Sequence, residues 1–234
     1  MKAALTSLLT VVFLIVLPLS ALAQSGPPAL CKPCVFYAGD FDPTGFYSAA
    51  FPDENTFVYD NVKAYGAITI PRNHGVLVEG MLFQVVFNGE SKLDPTETPW
   101  EIRIGVGEGG GGTLIASGQA FAHIQATGRF GDGPEYSVAL KVNPPVALGA
   151  GTFWFNLTPQ CTNKHDTACG SGQYLVSNTT LQTNNFRGAL QPTGQIFVNS
   201  QSLNYPYTWE NWCDLTNQQA CATLSFGLMG KILK

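Results

Sequence analysis

The stretch that decides the fold is residues 99–106, PWEIRIGV, in which apolar and polar side chains alternate without interruption. In an extended chain its even-numbered residues, from Trp100 to Val106, fall on one side, whereas Glu101 and Arg103 fall on the other. A period of two is typical of a β-strand with one buried face. We therefore expect the four apolar residues to face a core and Glu101 to pair with Arg103 on the opposite face.

The same alternation recurs at residues 136–142 and 153–157, and shorter strand-like runs fill most of the remaining chain. Among these runs are residues 113–117 and 119–125, with a break at Gly118. Turn sequences such as Asn88-Gly89 separate them, and no stretch carries an apolar stripe with a period of 3.6 residues. Roughly a dozen short strands predict an all-β fold, a single β-sandwich of jelly-roll type.

The amino-terminal residues 1–23 have the pattern of a cleaved signal peptide. Lys2 precedes an apolar run from Leu5 to Leu17, and Ala21-Leu22-Ala23 matches the small-x-small cleavage pattern. The apolar run is shorter than the roughly 20 residues that cross a bilayer, so we expect no membrane span after cleavage. An uncleaved membrane anchor is the alternative. The pattern predicts a secreted or periplasmic protein.

Removal of residues 1–23 leaves 211 residues, which suit one sandwich better than two small domains. We expect residues 24–33 to form an extended lead-in and residues 34–234 to form the β-sandwich. Loss of Lys2 leaves 11 basic against 16 acidic residues, a net charge of −5. Nucleic-acid-binding proteins present a basic face, so this balance argues against a nucleic-acid partner. The sequence leaves the oligomeric state open.

Export places the six cysteines in an oxidising compartment, where an even number indicates disulfides. Their spacing favours three local pairs, although a link from Cys31 or Cys34 to a distant loop is the alternative. Cys31-Lys32-Pro33-Cys34 resembles a redox motif but lacks the βαβ context of one, so we expect a structural bond there. The expected pairs are Cys31–Cys34, Cys161–Cys169 and Cys213–Cys221.

Several phrases of the sequence resemble bacterial secreted β-sandwich modules of the kind often found ahead of a surface-sorting tail. They are residues 99–118 (PWEIRIGVGEGGGGTLIASG), 126–129 (ATGR), 151–155 (GTFWF) and the ending 224–228 (LSFGL). The resemblance loosely covers residues 60–230. It implies an exported sandwich, and it supplies no catalytic residue.

An aromatic stretch, residues 205–212 (YPYTWENW), is the strongest indication of a ligand site. Flat rings stack on the apolar faces of sugars, and neighbouring Glu and Asn side chains can bind hydroxyl groups. The alternative is that these rings cap the core beside Cys213. We interpret the stretch as a loop that contacts a polysaccharide or cell-surface polymer, and the predicted contact residues are Tyr205, Tyr207, Trp209, Trp212 and Trp154.

Two further motifs have a chemical and a structural interpretation. Asp40 and Asp42 lie at a loop entrance with the spacing that begins a calcium site, but they also suit a turn. Calcium is the one cofactor that the sequence indicates. The glycines of residues 107–112 are not followed by Lys-Ser/Thr, so we expect a flexible hairpin turn there instead of a phosphate cradle.

No nucleophile elbow or histidine metal motif is present, and we assign no catalytic residue. Carboxylate pairs for glycoside hydrolysis could come from Glu97 with Glu101, or from Asp132 with Glu135. The sequence therefore favours an exported non-catalytic binding module. Two alternatives remain: a structural or matrix protein that assembles through sheet edges, and a secreted glycoside hydrolase.

Overall fold

The structure is a computed structural model, and it describes residues 30–39, 47–49, 60–87, 92–107, 109–130, 133–162, 173–177, 183–184, 195–200, 205–211 and 223–234. These residues form strands and no helix, which confirms the all-β prediction. Within them there is accordingly no helix with the length and apolarity needed to cross a membrane.

The strands are β1 (Cys34–Tyr37), β2 (Tyr47–Ala49), β3 (Asp60–Ile70), β4 (Gly75–Val86), β5 (Leu93–Asp94), β6 (Thr98–Ile104), β7 (Thr113–Ala120), β8 (Ala122–Phe130), β9 (Pro134–Leu148), β10 (Gly151–Leu157), β11 (Gln160–Cys161), β12 (Gln173–Ser177), β13 (Thr183–Asn184), β14 (Gln195–Ser200), β15 (Tyr205–Asn211), β16 (Thr223–Leu224) and β17 (Phe226–Leu233).

Two antiparallel sheets contain nearly all of these strands. In the larger sheet the order β13-β1-β17-β4-β12-β16 is extended by β9 on β4, by β8 on β9 and by β2 on β12. The smaller sheet has the order β15-β14-β3-β10-β6-β7, and β5 pairs with β11 separately. Apolar side chains from the larger and the smaller sheet form one shared core, so the described strands form a β-sandwich. The jelly-roll connectivity stays a prediction.

The alternating stretches supply much of this core, as their period predicted. Trp100 and Ile102 of β6 are buried in it, together with alternate residues of β9 and β10. The prediction was wrong for the last two apolar residues of the stretch. The chain leaves β6 at Gly105, whose φ is 70°, so Ile104 is exposed and Val106 is buried in a separate cluster.

The centre of the core is the ring of Phe226, which reaches from one sheet to the other. Its centroid lies 5.2 Å from that of Phe36, 5.6 Å from that of Phe83 and 6.0 Å from that of Phe155. The ring also lies against the backbone of β3 at Gly66, where an added Cβ would come within 2.5 Å of Phe226 Cδ1. Only glycine leaves room for the ring at this position.

The structure differs from the sequence-based prediction at one strand boundary and in one predicted loop. The break after β7 falls at Phe121 instead of Gly118, because the chain passes there from the smaller sheet to the larger one. The aromatic stretch predicted as a loop is largely a strand, since residues 205–211 form β15 and pair with β14 at the end of the smaller sheet.

The disulfide between Cys31 and Cys34 confirms the first local pair. Cys31 is buried on the outer face of the larger sheet, where it packs with Tyr37, Leu82 and Ala139. This bond therefore fixes the start of β1 against the sheet. The predicted Cys161–Cys169 and Cys213–Cys221 pairs involve side chains outside the described part of the chain.

We predict that Phe226→Ala lowers the free energy of unfolding by about 3–5 kcal/mol, because it removes an aromatic ring from a tightly packed core. Chemical denaturation of the oxidised protein measures this loss. Leu114→Ala removes an exposed side chain and should change the same quantity by about 0.5 kcal/mol or less. Equal losses in the two variants would contradict a central role for Phe226.

Candidate functional site

The face of the smaller sheet that points away from the core carries a second buried cluster. Because Ala64 and Ile68 of β3 lie in the core, Tyr65 and Ala67 point to the opposite face. Trp154 of β10 and Trp209 of β15 join them there, together with Val106. We call this surface the aromatic face.

A carboxylate with three donors lies at the aromatic face. Glu101 accepts hydrogen bonds from Lys63 Nζ at 2.8 Å, Tyr65 Oη at 2.9 Å and Arg103 Nε at 2.8 Å. The contact with Arg103 confirms the pair predicted within β6. Each of the two charged partners is less than one-third exposed, so water screens the ion pairs only in part.

These contacts fix the protonation states of the cluster. Burial disfavours the charged form of Glu101 and by itself would raise the pKa of this carboxyl. The hydrogen bonds from Lys63 and Arg103, the Lys63 charge and the hydrogen bond from Tyr65 have the opposite effect and are together stronger. The pKa of Glu101 therefore lies below its usual value. Burial and the Glu101 charge both raise the pKa of Tyr65. At neutral pH Glu101 is therefore ionised, and Tyr65 stays a hydrogen-bond donor.

Trp209 joins the ion cluster to the aromatic side chains. Its ring centroid lies 5.1 Å from that of Tyr65, with the rings tilted by 45°. The guanidinium carbon of Arg103 lies 5.2 Å from the Trp209 ring centroid, which is within cation–π range. Only 7% of the surface of Trp209 is exposed, so these contacts are largely shielded from water.

The glycine-rich turn between β6 and β7 covers Trp209. We call residues 105–112 the strap; residue 108 is outside the described residues. The Gly109 N–H donates to the Trp209 carbonyl at 2.8 Å, and Arg103 Nη1 donates to the Gly111 carbonyl at 3.0 Å. A Cβ on Gly111 would lie 2.5 Å from Trp209 Cε2, so the strap rests directly on the indole. The predicted hairpin turn is confirmed.

The bond between the strap and β15 requires a strongly curled sheet. Five strand spacings separate β7 from β15, which is about 24 Å in a flat sheet. Gly109 precedes the first residue of β7 by four positions, and four extended residues span about 14 Å at most. The two ends of the smaller sheet therefore approach each other over the aromatic face, and the strap closes the gap.

Trp154 belongs to the same buried cluster as Trp209, with 9% of its surface exposed. Its neighbours across the sheet are Ala67 on β3 and Arg103 on β6. Its Nε1 is buried and has no hydrogen-bond partner in the part of the chain that the structure describes. A buried donor without an acceptor is costly, so this N–H is the unsatisfied group of an otherwise well-paired cluster.

Two of the five predicted ligand contacts, Trp154 and Trp209, come together at the aromatic face, and both are buried. Tyr205 and Tyr207 belong to β15, with side chains outside the described residues, as is the whole of Trp212. The predicted calcium ligands Asp40 and Asp42 also lie outside them. Within the described part, no group of three or more His, Cys, Asp or Glu side chains could hold a metal ion.

Sequence reasoning did not place Lys63 and Tyr65 at this site. Their alternation with the buried residues Ala64 and Ile68 puts them on the outer face of a strand, and that pattern was readable. Their meeting with Glu101 depends on the order β3-β10-β6, which no local pattern contains.

The carboxylates considered for hydrolysis have other partners here. Glu101 stays ionised, whereas a glycosidase acid needs a raised pKa. Glu135 is buried and accepts two hydrogen bonds of 2.6 Å from Arg129. Glu97 is exposed at the turn before β6, and Asp132 is outside the described residues. Glu101 therefore does not suit the acid role of a glycosidase, and Glu135 is held in an ion pair with Arg129.

Comparison with protein-family models, with curated proteins and with solved structures gives no match to this chain. The resemblance to secreted sandwich modules therefore stays a prediction.

We predict that Glu101→Gln lowers the free energy of unfolding by about 1–2 kcal/mol at neutral pH, because Lys63 and Arg103 lose their shared charge partner. The folded pKa of Glu101 lies below the unfolded value of about 4.3. Its stabilising effect is therefore complete above that value and disappears as the pH falls through the folded pKa. Denaturation of both proteins between pH 7 and pH 3 should show the difference shrinking.

The control is Glu79→Gln, since the Glu79–Lys231 pair is 3.2 Å long and its lysine is largely exposed. A surface pair of this kind contributes about 0–1 kcal/mol. A Glu101→Gln effect that stays constant over the whole pH range would contradict the assignment of a charged, pKa-lowered carboxylate.

A second prediction concerns the cover over Trp209. Gly111→Ala should displace the strap, because the new methyl group would overlap the indole. Gly110→Ala is a matched control, since a Cβ at Gly110 meets no atom within 4 Å. We expect acrylamide to quench tryptophan fluorescence more strongly in Gly111→Ala than in either Gly110→Ala or the unmodified protein. Equal quenching in all three would mean that the strap does not shield Trp209.

Proposed function

We propose that this chain is an exported, non-catalytic binding module whose ligand is an extracellular glycan or similar hydroxyl-rich polymer, bound at the aromatic face. The observation that carries the proposal is the convergence of Trp154, Trp209 and Tyr65 with the charged side chains of Lys63, Glu101 and Arg103. Sugar sites combine flat apolar rings with a few oriented polar groups in the same way.

The unpartnered Nε1 of Trp154 supports a ligand rich in oxygen atoms. A hydroxyl or ring oxygen placed beside it would accept a hydrogen bond from this buried donor, which has no partner among the described residues. Lys63 and Arg103 are partly exposed and could turn a remaining N–H towards the same ligand.

Binding at this face requires the strap to move, because Gly111 rests on Trp209 and because Trp154 is buried in the same cluster. The strap suits such a movement. Gly105 and Gly112, at its two ends, have φ values of 70° and 59°, and glycine adopts such angles without steric cost. Loops that open and close over ligands commonly turn about a few terminal positions of this kind.

The test is retention of the exported, oxidised protein on a panel of insoluble polysaccharides, compared with a Trp154→Phe variant. Phenylalanine keeps an aromatic ring and removes only the unpartnered N–H and part of the indole. We therefore expect Trp154→Phe to retain its folded stability while losing at least about tenfold in affinity, the effect of one good hydrogen bond.

Trp100→Phe is the matched control, since Trp100 is buried in the inter-sheet core and not at the aromatic face. It should bind the polymer as the unmodified protein does. Failure of the unmodified protein to bind any polymer, or equal binding by both variants, would overturn the proposal. Release of soluble sugar in the same tubes would overturn its non-catalytic part.

A further inference from the structure

One end of the sandwich carries most of the exposed apolar side chains. In the described part of the chain six large apolar residues are exposed, and five of them lie at this end: Ile104, Leu114, Ile115, Ile232 and Leu233. Each of the five is 36–45% exposed. We call this surface the apolar end. The sixth residue, Phe121, lies at the opposite end, after the last residue of β7, which pairs with the first residue of β6.

Strand pairing brings these residues to one end although they belong to different sheets. In the smaller sheet, Ile104 ends β6 and pairs with Thr113, the first residue of β7. In the larger sheet, Leu233 ends β17 and pairs with Gly75, the first residue of β4. The turns from β3 to β4 and from β9 to β10 join the two sheets here, and Phe153, close to the second turn, pairs with Ile104. The apolar end is therefore shared by both sheets.

The charged side chains around the apolar end are mainly basic. Arg72 is exposed in the turn between β3 and β4, and Lys234 is exposed immediately after β17. Neither has a carboxylate partner among the described residues. Lys231 is largely exposed and pairs with Glu79, which is the one carboxylate that the described strand ends and turns place near them. Glu108 of the strap is outside the described residues. This part of the surface is thus basic within a chain whose net charge is negative.

Apolar side chains exposed together mark sites of contact with proteins or membranes. We propose that the apolar end docks onto an anionic phospholipid bilayer, with its aliphatic side chains entering the boundary between the headgroups and the hydrocarbon. Arg72, Lys231 and Lys234 would then face the acidic headgroups. The proposal is independent of ligand binding at the aromatic face.

The composition of the apolar end favours a lipid surface over a protein partner. The buried centres of protein interfaces are enriched in aromatic residues and methionine, whereas the five exposed residues here are all isoleucine or leucine. A lipid surface also needs no matching shape, which suits side chains spread over strand ends of two sheets. The basic residues beside them complement acidic headgroups, because each Lys or Arg near an anionic bilayer strengthens binding by about fivefold.

The experiment uses the exported form of the full chain with its disulfides intact. The protein is sedimented with vesicles of phosphatidylcholine alone, and with vesicles in which about one-third of the lipid is phosphatidylglycerol. We expect binding to the anionic vesicles to be at least about tenfold tighter than to the neutral ones, and to weaken as salt is added.

Two variants test the two parts of the surface separately. Leu114→Ser/Leu233→Ser removes one exposed apolar side chain from each sheet, and we expect at least about tenfold weaker binding to the anionic vesicles. Arg72→Gln/Lys234→Gln removes two exposed cations and should weaken the same binding by at least about tenfold. Thermal unfolding of each variant checks that it is folded.

The matched controls lie at the opposite end of the sandwich. Phe121→Ser removes the most exposed of the six apolar side chains, and Lys92→Gln removes an exposed cation beside β5. Both should bind the vesicles as the unmodified protein does.

Three results would overturn the proposal: no binding to anionic vesicles, equal binding to anionic and neutral vesicles, or a loss in Phe121→Ser as large as that in Leu114→Ser/Leu233→Ser. Self-association that Leu114→Ser/Leu233→Ser abolishes, without any binding to vesicles, would also overturn it and would assign the apolar end to a second copy of the chain.

Discussion

The contact between the Phe226 ring and the bare backbone of Gly66 is the constraint on which the rest of the described structure depends. It joins β17 of the larger sheet to β3 of the smaller one, and it fixes which side of β3 faces the core. With Gly66 turned inwards, Tyr65 and Ala67 must turn outwards, since neighbouring residues of a strand point to opposite faces. The aromatic face is thus a direct consequence of how the core is filled.

Burial of polar and charged groups on that outer face is tolerated because nearly all of those in the described residues are paired. Removing a carboxylate from water costs several kcal/mol unless charges and hydrogen bonds compensate, and Glu101 has two cations and a hydroxyl as partners. The strap adds to this by accepting a hydrogen bond from Arg103 through the Gly111 carbonyl. Trp154 is the exception, and an unsatisfied donor inside a satisfied network is a reason to look for a function at that position.

The sequence was sufficient to predict the strands whose pattern is local. Alternation identified β6, β9 and β10, the buried faces of each, and the Glu101–Arg103 pair within one strand. Alternation did not predict where a strand leaves its sheet, as at Gly105 and Phe121, because the pattern of side chains does not show where backbone pairing ends. Lys63 and Tyr65 are 38 and 36 residues away from Glu101, so their meeting could not be derived from spacing. Tyr205, Tyr207 and Trp209 do alternate, and the same period that revealed β6 would have revealed β15.

The strap and the ion cluster belong to one β6–β7 hairpin, and this connects them physically. The strap begins after Ile104 and ends before Thr113, and these two residues are partners in the β6–β7 ladder. β6 carries both Glu101 and Arg103, and Arg103 donates one hydrogen bond to Glu101 and another to the Gly111 carbonyl of the strap. Displacing the strap would therefore uncover Trp209 and at the same time remove an acceptor from Arg103, because both contacts are made by Gly111.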